Sequence, residues 1–597
     1  MLRWPLRVEE DIVVVPPARQ LTVRALLSGV LIGALLTPCN IYSGLKIGWS
    51  FNISIIALLI TSGFWALLAR LRIGDRLAAG EANIAQTAAS SSANIVSGGL
   101  VAPIPALAML SGGNLPPSQL IAWVFAVSFL GIWVAWYLRA SLILRGELAF
   151  PTGRATAETL MEIFEQGREA TLKLRVLLGS TLLAGAIKWF DTGAWALPRP
   201  ALGFVLPASG KLAGFGGISA KNLTFSLDPS LLLAGFGAII GLRNGISLLL
   251  GGIVSWGLLG PWGLTQGFIA AGPDDLGASW FSAMIEWLLW PGVALMVGSA
   301  LTRFALQALA GRDAGVRVAD DREGWGTRLM RLAGLSLSAA LVVWAQVAIF
   351  DIQWMVATLA VPIAFLLAVV ASRVVGETGI PPIGAIGKVS QLSTGLIAPG
   401  ETTANLMGAN VAGGAAGQSA DLLNDLKVGH MIGTPPQWQV LAQFFGILTG
   451  SVVGSWVYLH LIPDPAGMLV TDQWPAPAVA TWKVVAEALG SGPGSIPVSA
   501  LWAIGIGGAS GVLGAWLQHI GAPRWLPNMP ALGLAMVIPA SISITMFAGS
   551  LVGGLVARFR PGLAQRFLIA AASGLIAGES AIGVVRALLG IAAQGRS

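Results

Sequence analysis

The chain contains 597 residues, of which 55% are hydrophobic and 11% are charged, and its formal net charge is +7. Because a soluble chain carries about a quarter of charged residues, this composition excludes a large soluble domain, a disordered chain and a fibrous chain. The single cysteine excludes an intramolecular disulfide, and the three histidines, His430, His460 and His519, are too far apart in the sequence to suggest a haem or zinc site.

Apolar runs long enough to cross a bilayer recur along the whole chain. They predict an all-α, polytopic integral membrane protein with about 12 to 16 transmembrane helices, since a span needs about 20 mostly apolar residues. The predicted spans lie near 24–45, 52–69, 83–110, 118–138, 174–190, 230–260, 280–310, 330–350, 353–372, 402–422, 437–462, 497–518, 529–557 and 567–590. Two segments of mixed polarity, 145–165 and 377–398, are expected to form half-spans.

The basic residues predict the orientation. Arginines cluster in the tail 1–20, after the second and fourth predicted spans, and in the connection 311–331. Because cytoplasmic loops are enriched in Lys and Arg, we expect a multi-pass protein of the cytoplasmic (inner) membrane with its N-terminus in the cytoplasm. This topology accounts for the positive charge without a nucleic-acid partner. The connection divides the chain into two transmembrane halves, 21–310 and 332–592.

Each half carries polar segments rich in glycine and small residues: 40–48 and 83–99 in the first, 379–391 and 405–421 in the second. Small residues favour close helix packing, which explains many of the glycines. It does not explain why Asn, Gln, Ser and Thr concentrate in the same segments. Interrupted hydrophobic segments at corresponding places of duplicated halves point to the midplane binding site of a transporter.

Ionisable and strongly polar residues at membrane depth are functional candidates. Asn83, Gln86 and Thr87 share one face of a predicted helix, and Glu81 before them belongs either to a pathway or to the helix start.

A second group lies in ELAFPTGRATAETL and begins with Glu147. Pro151 and Gly153 are expected to break any helix there, although a cytoplasmic elbow is the plain alternative. Arg154 and Glu158 are four residues apart and are expected to pair.

The third group contains Glu377, Lys388, Gln391 and Glu401. GAIGKVS is not a phosphate loop, because Pro382 stands where GxxxxGK requires glycine and a valine follows the lysine. Lys388 is expected either to hold a substrate carboxylate or to pair with Glu401.

The fourth group contains Asn405, Asn410, Gln418, Asp421 and Asp425. The last three are spaced i, i+3 and i+7 and form one helical stripe. A carboxylate that is surrounded by apolar residues and has a cation nearby can bind and release a proton near neutral pH. The alternative places Asp425 and Lys427 at a solvated helix end.

Glu579 is the only acidic residue of the last predicted span. It is either a coupling carboxylate or a buried, hydrogen-bonded residue.

Seven stretches together resemble the oligopeptide transporter (OPT) superfamily, and particularly its yellow stripe-like branch and bacterial relatives. They are NIYSGLKIG (40–48), GEANIAQT (80–87), ELAFPTGRATA (147–157), GISLLLGGIVSWG (245–257), SADLLNDLKVGHMIGTPP (419–436), WPAP (474–477) and SGLIAGE (573–579). The resemblance implies a secondary transporter built by internal duplication, which couples uptake of small peptides or of metal chelates to protons. Plant members place Glu and Asn side by side where Ala82 separates Glu81 from Asn83, so the resemblance carries over Asn83, Gln86 and Thr87 rather than Glu81.

We therefore expect a proton-coupled symporter that imports small oligopeptides or peptide-like compounds, with a transporter of metal-chelate complexes as the alternative. An intramembrane enzyme lacks a catalytic motif here, and a passive channel would need no titrating carboxylate. The expected substrate-binding residues are Asn83, Gln86, Thr87, Lys388, Gln391, Asn405, Asn410 and Gln418, with Lys46 and Arg243 as further cations. The expected proton-coupling residues are Asp421, Asp425, Glu401, Glu377 and Glu147. The expected partners are the solute, protons and the bilayer, with no metal or other cofactor, and a homodimer is compatible with the sequence.

Overall fold

A computed structural model of the chain describes residues 20–48, 53–144, 148–165, 167–192, 196–207, 216–310, 325–378, 383–491, 496–521, 523 and 526–594. Glu147 and most of the predicted connection 311–331 lie outside these residues. The described part of the first half contains α1 Val23–Ile47, α2 Ser54–Arg70, α3 Ala79–Ala93, α4 Pro103–Ser111, α5 Pro117–Arg139, α6 Pro151–Glu165, α7 Gly167–Asp191, α8 Leu231–Ile240, α9 Leu242–Gly252, α10 Gly260–Gln266 and α11 Phe281–Ala310.

The described part of the second half is also helical. It contains α12 Trp325–Phe350, α13 Trp354–Thr378, α14 Ile383–Ile397, α15 Thr402–Ile432, α16 Pro436–Leu461, α17 Pro465–Met468, α18 Pro477–Ser491, α19 Val498–His519, α20 Met529–Ala535, α21 Ala540–Phe559, α22 Pro561–Leu563 and α23 Ile569–Gln594. Two short antiparallel strands, β1 Val205–Leu206 and β2 Ile218–Ser219, pair in the first half.

The predicted fold class, a polytopic all-α membrane protein, is confirmed. Among the described residues, 11 helices are long and apolar enough to cross a membrane, and α2 and α8 are shorter apolar helices. The predicted half-spans form α6 and α14, which have 15 residues each. At 1.5 Å per residue such a helix is about 22 Å long, shorter than the hydrocarbon core of a bilayer.

Two expectations about helix breaks were wrong. Pro151 and Gly153 do not break α6, because the proline occupies its first position, where no backbone N–H is needed. The Gly-rich segment 405–421 lies within the unbroken α15. Its glycines serve packing: a Cβ on Gly414 would lie 2.9 Å from the Ser97 carbonyl oxygen.

Breaks occur elsewhere. After α3 the chain continues as a 3-10 turn, Asn94–Gly98, and then α4. Gly99 follows the turn with φ +114°, and a Cβ there would collide with the Asn410 side chain, so this position requires glycine. Gly241, with φ +81°, separates α8 from α9, and Pro539 separates α20 from α21.

The helix α15 lies at the centre of the bundle, and its residues from 404 to 420 are buried. It packs against α5, α13 and α14, with α6 near its C-terminal end. We call the end of the bundle where α1 and α3 begin and α15 ends the first face; there Thr22 Oγ1 donates to Glu81 Oε1 at 2.7 Å, and Gln20 contacts Gly433. The opposite end is the second face.

Candidate coupling and solute sites

The Asp425 carboxylate lies where α2, α3 and α15 meet, and the side chain is 1% exposed. Its Oδ1 accepts hydrogen bonds from Gln86 Nε2 at 2.7 Å and Ser54 Oγ at 3.4 Å, and its Oδ2 accepts one from Ser90 Oγ at 3.0 Å. Gln439 of α16 donates to the backbone oxygen of Asp425. The residue is therefore held inside the bundle and does not lie at a solvated helix end.

Asp421 lies one turn from Asp425 on α15 and is half-buried. It makes no hydrogen bond or ion pair with any other residue that the structure describes. Side chains four residues apart on a helix have Cβ atoms about 5–6 Å apart. Two carboxylate charges about 6 Å apart repel by about 3 kcal/mol at an effective dielectric constant of 20. The two acids therefore disfavour simultaneous ionisation.

Gln418 and Asn410 bind the broken end of α3. Gln418 Nε2 donates to Ser91 Oγ at 3.4 Å, and Gln418 Oε1 accepts from Ser97 Oγ at 3.5 Å. Asn410 Nδ2 donates to the Gly98 carbonyl at 3.1 Å. These amides bond polar groups at the end of α3 and in the 3-10 turn, so the structure gives them a packing role. Their role in substrate binding stays a prediction.

A second polar cluster contains Lys388, Gln391 and Asn405, at the other end of α15. Lys388, 4% exposed, donates to Gln391 Oε1 at 3.0 Å, and its Nζ lies 4.5 Å from the ring centroid of Trp482. Gln391 Nε2 in turn donates to Asn405 Oδ1 at 3.1 Å. The expected pairing of Lys388 with Glu401 does not occur, because Glu401 is exposed while Lys388 is buried.

The two clusters are far apart. Asn405 and Asp425 are twenty residues apart on one unbroken helix, which corresponds to about 30 Å. A small solute cannot contact both at once. The predicted substrate set is therefore divided between the ends of α15.

The remaining predicted acids lie outside both clusters. Glu377 pairs with Arg373 at 3.2 Å and is half exposed. Glu81 accepts a hydrogen bond from the Ala78 backbone N–H at 2.9 Å and pairs with Arg24. These contacts agree with the interpretation in which Glu81 belongs to the start of the helix. Glu401 is exposed, and Glu147 is outside the described residues.

A cavity of about 870 Å³ lies toward the second face, between the ends of α1, α7 and α23 and the starts of α8 and α21. Nine charged residues line it: Lys46, Lys188, Asp191, Arg199, Lys221, Asp228, Asp472, Glu579 and Arg586. The sequence indicated only Lys46 and Glu579 among them. The rest come from segments far apart in the chain, so no local spacing could have grouped them.

Part of this charge is neutralised within the wall. Arg199 pairs with Asp191 at 2.7 Å, and that carboxylate raises the pKa of the arginine. Glu579 lies 3.4 Å from Lys188 and accepts the Leu232 backbone N–H at 2.7 Å, at the start of α8. These groups fix the wall rather than leave charge for a ligand.

Lys46 and Asp472 face the same cavity without pairing with each other. The Lys46 ammonium donates to the Gln473 carbonyl and lies 5.3 Å from the ring centroid of Trp474. Burial raises the pKa of the Asp472 carboxyl, which lies in the loop before α18. The loop is anchored to α1 through the Ala476 N–H, which donates to the Leu45 carbonyl at 3.0 Å. Within the described part of the chain, neither charge has an ion-pair partner.

A many-helix bundle with broken helices, buried carboxylates and a charged cavity defines a polytopic membrane transporter. The chain belongs to the OPT oligopeptide transporter family, whose model matches residues 20–321 and 322–589.

Three relatives align over nearly the whole chain. A Saccharomyces cerevisiae protein, provisionally named an oligopeptide transporter, is 24% identical over 96% of this chain and 96% of its own. An Oryza sativa protein, provisionally named a metal-nicotianamine transporter, is 26% identical over 94% of this chain and 88% of its own. The iron-phytosiderophore transporter yellow stripe 1 of Zea mays is 25% identical over 94% of this chain and 89% of its own.

Proposed function

We propose that this protein is a proton-coupled symporter that imports small oligopeptides or peptide-like compounds. The observation that carries the proposal is the charged cavity, whose wall contains Lys46 and Asp472, neither of which has an ion-pair partner among the described residues. A solute with both a carboxylate and an amine would satisfy the two charges together. The volume of about 870 Å³ lies within the usual range for small-molecule sites.

Metal chelates of amino-carboxylate ligands are the second candidate class. The names of the rice and maize relatives support it. In such chelates the amines bind the metal, but carboxylate oxygens on the outside of the complex can still contact a cation such as Lys46, so the cavity also suits this class. Competition between a peptide and a chelate for uptake distinguishes them.

The Asp421 and Asp425 pair is the proposed proton carrier. Around the pair, residues 79–93 of α3 and the whole of α15 are regular helix, so their backbone carbonyls are already hydrogen-bonded. Transporter sodium sites use carbonyls from unwound segments. Asp425 instead has three side-chain donors around its oxygens, an arrangement that does not suit a metal cation.

The direction follows from the predicted orientation. With the first face in the cytoplasm, the cavity lies on the external side, and the carboxylate pair lies nearer the cytoplasm. Solute would then bind from outside, and the proton would leave to the inside. The halves moving against each other would alternate the access.

Uptake into proteoliposomes tests the proposal. A labelled tripeptide or a ferric amino-carboxylate chelate is offered with and without an inward proton gradient. We expect gradient-dependent accumulation that Lys46→Met strongly reduces, while Lys483→Met, which removes a partly exposed lysine paired with Glu487, does not. Accumulation that ignores the gradient would refute proton coupling. Equal uptake by the two lysine variants would refute the cavity assignment.

A further inference from the structure

Seven buried polar atoms of α3 and α16 have no hydrogen-bond partner among the described residues. They are Asn83 Nδ2 and Oδ1, Gln86 Oε1, Thr87 Oγ1, Gln439 Oε1, and Gln443 Nε2 and Oε1. All five side chains are 0% exposed. Gln439 and Gln443 belong to α16 and were not among the predicted site residues.

The side chains on α3 face the contact with α15. Asn83, Thr87 and Ser90 are spaced i, i+4 and i+7, so they form one stripe of the helix. Ser90 donates to Asp425 Oδ2 from that stripe. Asn83 and Thr87 therefore lie on the Asp425 side of α3, toward the first face.

The side chains on α16 face the same place. Gln439, Gln443, Gly446 and Gly450 are spaced i, i+4, i+7 and i+11, again one stripe. The two glycines pack on α3, where a Cβ on Gly446 would lie 2.5 Å from the Ala88 carbonyl oxygen. Gln439 Nε2 also donates to the backbone oxygen of Asp425. The unpartnered atoms thus converge on the junction of α3, α15 and α16.

It would be costly for all of these atoms to lack a hydrogen-bond partner. Each buried polar group without a partner costs about 1–3 kcal/mol. Seven of them would cost about 7–20 kcal/mol, comparable to the whole stability of a typical domain. A polar occupant of the junction would supply the missing hydrogen bonds.

We propose that the junction of Asn83, Thr87, Gln439 and Gln443 is a binding site for ordered water molecules, which carry protons between Asp425 and the first face. The inference rests on the proposed function, because it supplies the proton path of the proposed symporter. A buried water makes two to four hydrogen bonds, and the seven atoms with Asp425 offer donors and acceptors of both kinds.

The other occupants fit less well. A metal cation would require converging oxygens, but the junction also presents the amide N–H groups of Asn83 and Gln443, which repel a cation. The transported solute is expected in the charged cavity at the other face. A water molecule can both donate and accept hydrogen bonds, which matches the mixed donors and acceptors of the junction. In each transfer the Asp425 carboxyl gives its proton to the adjacent water as that water releases one onward, so every O–H bond broken is matched by one formed.

X-ray radiolysis followed by mass spectrometry tests the site in the intact protein, since water held beside buried side chains is converted to hydroxyl radicals that label them. We expect dose-dependent labelling of the segment 83–87, despite its burial, at least tenfold above that of the buried apolar segment 411–416 of α15. Equal labelling of the two segments would overturn the proposal. This measurement needs no variant.

Gln443→Leu tests the path. We expect at least a tenfold loss of gradient-driven uptake with solute counterflow within twofold of wild type, because counterflow requires no net proton movement. Thr449→Val is the matched control: it lies on the same helix, and its hydroxyl already bonds the Phe445 carbonyl at 2.9 Å. Unchanged gradient-driven uptake in Gln443→Leu would overturn the path.

The two measurements separate the two proposals. If wild type is labelled but shows no gradient-driven uptake, proton coupling is refuted and the water site is retained. If wild type shows gradient-driven uptake but no labelling, the water site is refuted and the proposed function is retained.

Discussion

Replacing Asp425 by asparagine removes the buried charge while keeping the shape of the side chain. The carboxylate now accepts hydrogen bonds from Gln86, Ser54 and Ser90. After the change the amide oxygen that remains still accepts, and only the neighbours on the N–H₂ side turn to accept. Either the Ser90 hydroxyl rotates, or the Ser54 hydroxyl rotates and the Gln86 amide turns its unpartnered Oε1 toward the N–H₂ group. The three contacts can therefore be kept as neutral hydrogen bonds.

The stability change is expected to be small because two terms oppose each other. A hydrogen bond to a charged group contributes about 1.5–3 kcal/mol and a neutral one about 0.5–1.5 kcal/mol, so three weakened bonds cost about 3–4 kcal/mol. Removing the buried charge returns its desolvation penalty, which is several kcal/mol for a buried ion. We expect a midpoint of thermal unfolding close to that of wild type. A transport defect in Asp425→Asn would then reflect lost coupling and not misfolding.

Uptake into proteoliposomes measures that coupling. Each pH unit of gradient supplies about 1.4 kcal/mol per coupled proton, which corresponds to tenfold accumulation of the solute. We expect wild type to accumulate solute in this way, and Asp425→Asn to reach only equal concentrations on both sides while retaining counterflow. Glu158→Gln is the control, since its ion pair with Arg154 is exposed. Full accumulation by Asp425→Asn would refute the assignment of the proton to this pair.

The other predictions concern the pair, the cavity and the packing. Asp421→Asn is expected to abolish gradient-driven uptake and leave part of the counterflow, which the same vesicles measure; uptake equal to wild type would contradict its role. Lys46→Met should weaken solute binding about 10- to 100-fold, as loss of a charged hydrogen bond worth about 1.5–3 kcal/mol implies, and calorimetric titration would reveal an unchanged affinity if the cavity is not the site. Because burial raises the pKa of Asp472, its charge is lost as the pH falls, at a higher pH than for an ordinary aspartate, so solute affinity should fall with it. The native state holds that proton more tightly than the unfolded chain, so the same group should stabilise the fold as the pH falls, and Asp472→Asn should flatten both profiles. Gly237→Ala should destabilise the protein by about 1–3 kcal/mol, because the new Cβ would lie 2.0 Å from the Met546 carbonyl oxygen, whereas Gly505→Ala meets nothing within 4 Å and should leave thermal unfolding unchanged.

Spacing within one helix was the information that the sequence supplied reliably. It grouped Gln418, Asp421 and Asp425, and they do lie on one helix, α15. It did not indicate that Gln86 and Asp425 would bond, since 339 positions separate them and only packing brings α3 onto α15. For the same reason it placed Gln86 with the substrate and Asp425 with the proton.

The residues that the sequence missed share a physical reason. Gln439 and Gln443 lie in a predicted span, so the sequence alone could have identified them as amides within the membrane. Nothing in the local sequence showed that their polar atoms would lack hydrogen-bond partners. The cavity residues, such as Lys188 and Asp228, lie near helix ends, where a charged residue is ordinary in any membrane protein. Only the fold shows that these ends converge.

The packing of α1 on α3 supplies a physical connection between the cavity and the carboxylate pair. Lys46 is in the last turn of α1 and faces the cavity, whereas Gln86 of α3 binds Asp425. The two helices are in direct contact along their length: a Cβ on Gly29 would lie 2.5 Å from the Ala85 carbonyl oxygen.

Hydrogen bonds reinforce that contact close to the break in α3. Thr37 Oγ1 donates to the Ser92 carbonyl at 3.0 Å, and Asn40 Nδ2 donates to the Ala93 carbonyl at 2.9 Å. Both acceptors are at the C-terminal end of α3, where the chain enters the 3-10 turn. In the proposed alternation of access, we therefore expect α1 and α3 to move together, with the break after Ala93 as their hinge. Under the proposed function, we expect a solute that displaces Lys46 also to displace Gln86 relative to Asp425, so that loading the cavity changes the contacts of the proposed proton carrier.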